Sequence, residues 1–261
     1  MKQVPAYSDG NMDEKTGLII RAGLQSVVNV YDLSALETAL QIKEKIGALV
    51  AVFTMGPMNA GQVILEAYAC GADEGFLIND KAFGGADVLS TSYTLMQAIN
   101  STGTYDLILC GKQTTDGDTA QVSGALAKWM DIPHITGVAE LLDIDNTKIT
   151  IKSISEEKAI IEVIELPCLL AVERTIFTPR MPSLKLKMAG KKKTLSIISL
   201  AHLQDKGACH YGLSGSATRV KKIFPPVRTK MQPVVSMEGK EAAKYLKQIL
   251  EQLDCTQKQE V

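Results

Sequence analysis

The chain has 261 residues, of which 46% are apolar, so it can bury a substantial core and is not a disordered segment. Its formal charge of −1 gives no global field that would favour nucleic acid or an anionic membrane as a partner. Five cysteines without CxxC spacing indicate a reducing compartment and neither a zinc site nor a disulfide framework. We find no signal peptide and no apolar run long enough to span a bilayer, so we expect a cytoplasmic protein.

Strand and helix patterns alternate between residues 34 and 135. Ser34, with Glu37 three residues later, forms a capping-box pattern at the start of a helix over 34–47. The elements that follow are predicted as a strand at 48–56, a helix at 59–73, a strand at 75–80, a helix at 87–100, a strand at 106–111 and a helix at 120–130. This alternation predicts an α/β fold with a parallel sheet and helices on both of its faces.

The pattern changes after residue 135. Alternating apolar residues on both sides of a Ser-Glu-Glu-Lys turn predict a β-hairpin over 147–165. The later elements are predicted as a strand at 166–174, an exposed loop with a short helix at 177–193, a returning strand at 193–200 and an amphipathic helix at 238–253. We therefore divide the chain into an α/β domain, residues 1–204, and a C-terminal arm, residues 205–261, that ends in a helix.

The stretch CGKQTTDGDTAQVS (110–123) follows a predicted strand, at the carboxyl end where open parallel sheets bind ligands. Asp118 or Thr119 is placed to cap the next helix, which would leave the amides of residues 120–122 free to bind a phosphate. Gly117 lets the backbone approach a ligand closely. A metal site would need a third oxygen ligand, and none is evident. The alternative is that DGDT is only a polar helix cap.

Two further segments contain glycine turns. MGPMNAG (55–61) ends a strand and begins a helix in the same manner, so both turns are candidates for one nucleotide crevice, although an ordinary strand-to-helix turn has the same pattern. GLSGSATR (212–219) combines glycines, hydroxyls and an arginine, which suits either a phosphate or flavin contact or a flexible linker.

No catalytic set can be assembled from the sequence, which contains no GxSxG, HExxH or Walker A pattern. The basic stretch 180–193 is interpreted in two ways. It is either a solvated surface or a protruding recognition loop whose Leu184 docks in a pocket of another protein.

Taken together, these segments resemble the β subunit of electron-transfer flavoproteins. The strings that carry the resemblance are KQVP (2–5), NVYD (29–32), MGP (55–57), GAD (71–73), CGKQTTDGDTAQV (110–122), LPCLLAVER (166–174), PRMPSLKLKMAGKKK (179–193) and GLSGSATRVKKIFPP (212–226). The match covers nearly the whole chain. It implies a Rossmann-like domain of the adenine nucleotide alpha hydrolase type, with a hairpin extension and an arm that packs on an α subunit.

In the family, this nucleotide site holds AMP or, in the electron-bifurcating group, the ADP part of a second FAD that takes a hydride from NADH. The segments GGADVLSTSYTL (84–95), DGDTAQV and GLSGSATR resemble the bifurcating group, so we favour FAD with NAD(H) as the electron donor. The resemblance also implies a dehydrogenase partner bound through loop 177–193 and Leu184, and ferredoxin or flavodoxin as the low-potential acceptor. A one-FAD subunit with AMP and a regulatory module similar to universal stress proteins are the alternatives; the basic loop and the arm disfavour the latter.

The residues assigned to the cofactor are Lys2, Val4, Asn29, Asp32, Met55, Gly56, Cys110, Gly111, Gln113, Asp116, Gly117, Asp118, Thr119, Ala120, Gln121, Val122, Arg174, Gly212, Leu213, Ser214, Gly215 and Ser216. Of these, Arg174 and the 212–219 segment are expected near the isoalloxazine ring. The sequence departs from the family where Val30 and Ala217 replace prolines and Ser123 replaces a glycine. The family also has apolar residues before the lysine of KQVP, so we expect either a shortened first strand here or a start site that is assigned late.

Overall fold

The computed structural model describes residues 1–6, 26–155, 158–193, 195–219 and 235–252. The helices of these residues are α1 (Val30–Ile46), α2 (Gly61–Cys70), α3 (Val88–Asn100), α4 (Val122–Met130), α5 (Leu184–Gly190), α6 (Gly212–Gly215) and α7 (Gly239–Gln252). The strands are β1 (Gln3–Pro5), β2 (Ser26–Val28), β3 (Ala51–Met55), β4 (Glu74–Ile78), β5 (Leu107–Gly111), β6 (His134–Ile144), β7 (Lys148–Ile154), β8 (Ala159–Glu165), β9 (Cys168–Val172) and β10 (Ser196–Ile198).

The predicted parallel pairing is observed, but in two sheets rather than one. One sheet has the parallel order β10-β4-β3, and the other has the order β5-β9-β6-β7-β8. In the second sheet β5, β9 and β6 are parallel, whereas β6, β7 and β8 form the antiparallel hairpin extension. The short first strand, β1, joins neither sheet and pairs with β2. The amino group of Met1 instead donates to the carbonyl of Phe53, on β3, at 2.7 Å.

Strand β9 is buried on both faces, and its unbroken apolar sequence suits this position. Because neighbouring side chains of a strand point to opposite faces, Leu169 and Leu170 belong to different cores. Leu170 packs in the cluster that contains Ala35 of α1, and Leu169 packs with Leu126 of α4. Helices therefore cover both faces of this sheet, as predicted.

The predicted start of the first helix is wrong. Helix α1 begins at Val30, one turn before the expected capping box, and Ser34 lies inside the helix. The hydroxyl of Ser34 donates to the carbonyl of Arg174 at 2.8 Å, while Glu37 accepts hydrogen bonds from Arg180. Ser34 and Glu37, which would have formed the capping box, thus bind residues that are distant in the sequence. The local pattern therefore does not set the helix boundary.

The compact units are Met1–Lys222 and Ile223–Val261. This boundary differs from the predicted one after residue 204, because the segment around α6 packs on the first unit: Tyr211 is buried, and Thr218 bonds to Asp87. In the second unit, α7 has the predicted helical structure, with Tyr245 and Leu246 exposed. Among the helices of the described residues, none is both long enough and apolar enough to cross a membrane.

Candidate functional site

The carboxyl ends of the parallel strands lie in register within each sheet. Met55, which ends β3, pairs with Ile78, which ends β4, and Gly111, which ends β5, pairs with Val172 of β9. The turn after β3 is joined to β4 by Asn79, whose amide Nδ2 donates to the carbonyl of Gly56 at 2.8 Å. The two glycine turns predicted to form a crevice therefore each lie at a carboxyl edge, the usual ligand position in open α/β sheets.

Asn29 organises the segment 112–121, which we call the phosphate loop. Its side chain is fully buried; Nδ2 donates to the carbonyl of Gln113 at 2.9 Å, and Oδ1 accepts from the amide of Thr115 at 3.4 Å. Its backbone amide donates to the carbonyl of Lys2 at 3.0 Å. The fold thus brings together three residues assigned to the site from distant parts of the sequence: Lys2, Asn29 and Gln113.

Asp32 is buried and satisfies backbone amides. One carboxylate oxygen accepts from the amide of Lys2 at 2.7 Å, and the other accepts from the amide of Gly111 at 3.2 Å. The position of Gly111 requires a glycine, because an added Cβ would lie 2.6 Å from the Cβ of Tyr31 and 2.7 Å from Asp32 Oδ1. Asp32 therefore fixes the end of β5 against the start of α1.

Asp116 forms an ion pair with Lys2, with Nζ and Oδ1 2.7 Å apart. Desolvation opposes ionisation of Asp116, but the hydrogen bond and charge of Lys2 outweigh it, and the pKa of the carboxyl lies below its usual value. A carboxylate held ionised by a lysine is poorly suited to accept and return protons near neutral pH. Asp116 thus holds the phosphate loop to the N-terminal strand.

The helix after the phosphate loop begins later than predicted. It starts at Val122 with Gln121 at the cap, and neither Asp118 nor Thr119 caps it. The amide of Asp118 instead closes a turn on the carbonyl of Thr114 at 3.0 Å. The amides expected to be free in the first turn, those of Ala120 and Gln121, consequently lie ahead of the helix rather than within it.

The backbone of the phosphate loop is strained. Asp118 and Ala120 have φ of 49° and 52°, in the left-handed region that L-residues seldom adopt, and alanine has no polar side chain to stabilise it. Within the described part of the chain, the amides of Thr119, Ala120 and Gln121 have no hydrogen-bond acceptor. Residues 115–121 are also exposed. Strain that leaves consecutive amides open to solvent is a feature of anion-binding loops.

Two buried hydroxyls, at the starts of α3 and α4, indicate whether the segment around the phosphate loop could bind a phosphate. Ser123, in the first turn of α4, is buried, and its Oγ has no hydrogen-bond partner among the described residues; Ser90, in the first turn of α3, is in the same situation. Helices α3 and α4 pack against each other, where Trp129 donates to Ser92 Oγ at 3.2 Å. Buried hydroxyls normally have partners, and a phosphate oxygen would supply one at a helix start. The residues present therefore fit a bound phosphate.

The segments 84–87 and 212–218 are fastened together, and we call this contact the Asp87 junction. The amide of Leu213 donates to the carbonyl of Gly84 at 2.9 Å, and the amide of Asp87 donates to Ser216 Oγ at 2.9 Å. Asp87 also accepts from the amide and hydroxyl of Thr218, at 2.8 and 2.9 Å, and from the amide of Ser90 at 3.1 Å. The linker interpretation of GLSGSATR is therefore wrong for these residues.

The sequence assignment omitted Asp87 and Ser90. The signal for Asp87 was present, because an Asp directly before an apolar helical run is a helix N-cap pattern, and Asp87 does cap α3 through the amide of Ser90. The local sequence could not indicate that Asp87 also binds Thr218, because Thr218 lies far away in the sequence. Gly212, at φ 54°, is required at this junction, since a Cβ there would lie 2.2 Å from the carbonyl oxygen of Ala82.

Other assigned residues have structural roles or lie apart. Val4 is buried in β1, and desolvation raises the pKa of the Cys110 thiol to about 12. The carbonyl of Arg174 binds Ser34, which places its backbone beside α1. Next to it, Glu173 pairs with Lys112 at 2.7 Å and lines an open cavity of about 430 Å³. Nothing in the sequence had indicated this cavity.

The loop 177–193 contacts α1 and α2. The amide of Ser183 donates to the carbonyl of Ala69 at 2.8 Å, and Lys193 Nζ donates to the carbonyl of Asp73 at 2.7 Å while lying over the ring of Tyr68. Both ends of the loop are thereby anchored. Leu184 remains 75% exposed on α5, as a residue that docks in a partner's pocket must be.

The chain matches the family model described as an electron transfer flavoprotein domain over residues 16–203. It is 34% identical to the electron transfer flavoprotein subunit beta of Megasphaera elsdenii, across 97% of this chain and 96% of that protein. It is 39% identical to subunit CarD of the caffeyl-CoA reductase-Etf complex of Acetobacterium woodii, across 86% of each chain. It is also 38% identical to the protein FixA of Sinorhizobium fredii, across 90% of this chain and 84% of that protein.

Proposed function

Because the chain belongs to the electron transfer flavoprotein family, we propose that it is the β subunit of a cytoplasmic heterodimer and pairs with an α subunit. Relatives over nearly the full length are themselves named as beta subunits. We assign the domain to the adenine nucleotide alpha hydrolase-like folds, with the phosphate loop and the starts of α3 and α4 as its cofactor site.

We further propose that the nucleotide held here is FAD rather than AMP. The observation that carries this is the pair of helix starts, α3 and α4, each with a buried hydroxyl that has no hydrogen-bond partner in the part of the chain that the structure describes. A mononucleotide presents one phosphate, whereas the pyrophosphate of FAD presents two linked phosphates and extends further. The Asp87 junction places polar side chains before the start of α3, where a longer ligand could form hydrogen bonds.

The similarity to CarD and FixA supports the bifurcating type, since CarD is named as a subunit of a reductase-Etf complex. Bound FAD would supply the redox chemistry, taking a hydride from NADH and passing electrons both to a low-potential ferredoxin or flavodoxin and, through the α-subunit FAD, to a dehydrogenase. The residues of this chain bind and orient the nucleotide. The amides of 119–121 and the hydroxyl of Ser123 bind phosphate, while Asn29, Asp32 and the Lys2–Asp116 pair keep the loop in place.

The flavin content of the purified αβ complex tests the assignment directly. We expect two FAD in each heterodimer and no AMP when the denatured complex is resolved by chromatography. One FAD together with one AMP would overturn the FAD assignment and identify a simple electron carrier. No adenine nucleotide in the β subunit would overturn the site itself.

A variant isolates the hydroxyl at the start of α4. Ser123→Ala should reduce retention of the β-subunit nucleotide by roughly tenfold, the equivalent of about 1.4 kcal/mol. In the absence of nucleotide, the free energy of unfolding of this variant should be equal to or higher than that of the wild type. The reason is that the substitution removes a buried hydroxyl that has no partner among the described residues. Thr54→Val is the matched control, since Thr54 Oγ1 is also buried without a partner but lies in β3. Equal nucleotide retention in both variants would contradict a phosphate contact at Ser123.

A further inference from the structure

The segment 205–218, which contains α6, is attached to α3 at two places. At the start of α3 the attachment is the Asp87 junction. Further along the helix, the carboxylate of Asp205 accepts from the hydroxyl of Tyr93 at 2.8 Å, and the amide of Asp205 donates to Oε1 of Gln97 at 3.2 Å. Tyr93 and Gln97 are four residues apart and therefore lie on one face of α3. The segment is thus held against this helix both at its start and in its middle.

Asp205 is an acceptor that several groups share. One carboxylate oxygen accepts from Tyr93 and lies 2.5 Å from Nδ1 of His210, and the other accepts from the amide of Gly207 at 2.8 Å. The hydrogen bonds from Gly207, Tyr93 and His210 lower the pKa of this carboxyl to about 2, so it is ionised at neutral pH. An ionised carboxylate forms stronger hydrogen bonds than a neutral acceptor. We call Tyr93, Asp205, Gly207 and His210 the Asp205 cluster.

Tyr211 fixes the other end of the stretch 205–211. Its hydroxyl donates to the backbone carbonyl of Asp205 at 2.6 Å, and its side chain is buried. Its ring centre lies 5.5 Å from that of Phe83 and 5.6 Å from that of Tyr93, which is within the range of favourable aromatic contacts. The backbone of this stretch is therefore fixed by polar contacts at one end and by aromatic contacts at the other.

Helix α6 lies directly on the same stretch. The amide of Gly215 donates to the carbonyl of Tyr211 at 2.9 Å. A Cβ on Gly215 would lie 2.2 Å from the carbonyl carbon and oxygen of His210, so the two backbones are in contact. Ser216, the next residue, accepts from the amide of Asp87. A displacement of the Asp205 cluster would consequently reach the Asp87 junction and the start of α3.

An aspartate bound to a histidine is also the arrangement that orients a general base. Among the described residues, the ring of His210 bonds to Asp205 alone, and no hydroxyl or thiol is bonded to it that could act as a nucleophile. The geometry therefore favours a role in holding the segment.

We propose that Asp205 is a positioning residue of the candidate cofactor site: it fixes residues 205–211 on α3 and thereby holds α6 and the Asp87 junction where they contact the bound nucleotide. This rests on the proposed function, which puts the nucleotide at the starts of α3 and α4. The sequence assigned no member of the Asp205 cluster to the cofactor.

The test compares Asp205→Asn with the wild type in the purified αβ complex. An asparagine supplies one acceptor oxygen where the aspartate supplies two, and it carries no charge. Hydrogen exchange at the amides of 212–218 should become roughly threefold faster or more, because the segment loses an attachment. The β-subunit nucleotide should dissociate roughly fivefold faster. The visible circular dichroism of its flavin should change in band shape at equal flavin content, because the contacts of the ring change.

Two histidine variants provide a rescue. His210→Ala removes the side-chain partner of Asp205 and should show the same changes. His210→Gln, whose side-chain amide can donate to the carboxylate, should restore wild-type exchange and dichroism. Asp145→Asn is the matched control, because Asp145 also accepts three hydrogen bonds but lies in the β6–β7 turn. It should behave like the wild type in each measurement.

Each outcome bears on the proposal. Wild-type exchange and dichroism in a folded Asp205→Asn complex would overturn it. Faster exchange with unchanged dichroism and unchanged nucleotide dissociation would show that the cluster holds the segment without positioning the cofactor, and the proposal would again be wrong. If Asp205→Asn does not fold, wild-type behaviour of His210→Ala overturns it instead. A wild-type complex without nucleotide in the β subunit would overturn the proposed function, whereas bound nucleotide that is insensitive to these variants would overturn this inference alone.

Discussion

Arg180 binds both carboxylate oxygens of Glu37. Its backbone amide and Nε donate to Oε2 at 3.0 and 2.9 Å, and a terminal nitrogen donates to Oε1 at 2.9 Å. Glu37 is buried in the middle of α1, whose first turn places Asp32 against the end of β5 and the amide of Lys2. The same helix therefore supports both the candidate cofactor site and the base of the loop that presents Leu184.

Glu37→Gln should loosen the base of this loop. The variant removes one anionic partner of Arg180, but the guanidinium is partly exposed and keeps Glu44, so we expect the free energy of unfolding to fall by about 1 kcal/mol. We expect trypsin to cleave at the lysines of 185–193 several-fold faster than in the wild type. Glu44→Gln is the control, because Glu44 contacts Arg180 from an exposed position. Equal cleavage in all three proteins would show that the pair does not hold the loop.

The same pair predicts a pH dependence. Desolvation opposes the charge on Glu37, but hydrogen bonds from Arg180 and Gln41 outweigh it and lower its pKa below the ordinary value of 4.5. A lowered carboxyl pKa stabilises the fold above pH 4.5, and this contribution is lost as the pH falls through the folded-state value. The difference in unfolding free energy between wild type and Glu37→Gln should be constant from pH 7 to 5 and shrink below 4.5, as measured by urea titration. A difference that grows on acidification would contradict the assigned ion pair.

Gly111→Ala should disrupt the site, whereas Gly117→Ala should not disrupt the fold. A Cβ on Gly111 would press on Tyr31 and Asp32, while one on Gly117 would lie 3.5 Å from the nearest atom, Thr114 Oγ1. We expect a loss of about 1–3 kcal/mol in unfolding free energy for the first variant, as overpacking costs elsewhere, and less than about 0.5 kcal/mol for the second. Urea unfolding of isolated β measures both. Wild-type stability of Gly111→Ala would mean that α1 can move away from β5.

Asp87→Ala should release the segment 212–218. It removes the N-cap of α3, which typically contributes about 1 kcal/mol, and both hydrogen bonds to Thr218. Hydrogen exchange at the amides of 212–218 should rise at least tenfold, and flavin retention should fall. Asp145→Ala, which removes a similar cap from the β6–β7 turn, serves as control and should leave these amides protected. Unchanged hydrogen exchange at these amides in the Asp87 variant would show that Asp87 does not hold the segment 212–218.

The alternation of strands and helices and the hairpin could be predicted from the sequence alone, because hydrophobic periodicity is a local signal that burial enforces. The segment 110–123 and Leu184 were also picked out from the sequence, since glycine turns after strands and an apolar residue among lysines need no distant partner to be recognised. The family match supports the resemblance from which their roles are proposed.

The partner of each polar side chain could be identified only in the folded chain. Ser34 and Glu37 have the pattern of a capping box, but Arg174 and Arg180, more than 130 residues away, hold them instead. The sequence assigned Asp116 to the cofactor site without indicating its ion pair with Lys2, and it left GLSGSATR open as either a cofactor contact or a linker until Asp87 was found to bind it. Hydrogen bonds and ion pairs depend on a few ångströms between groups remote in sequence, and the chain acquires those distances only when its core has packed.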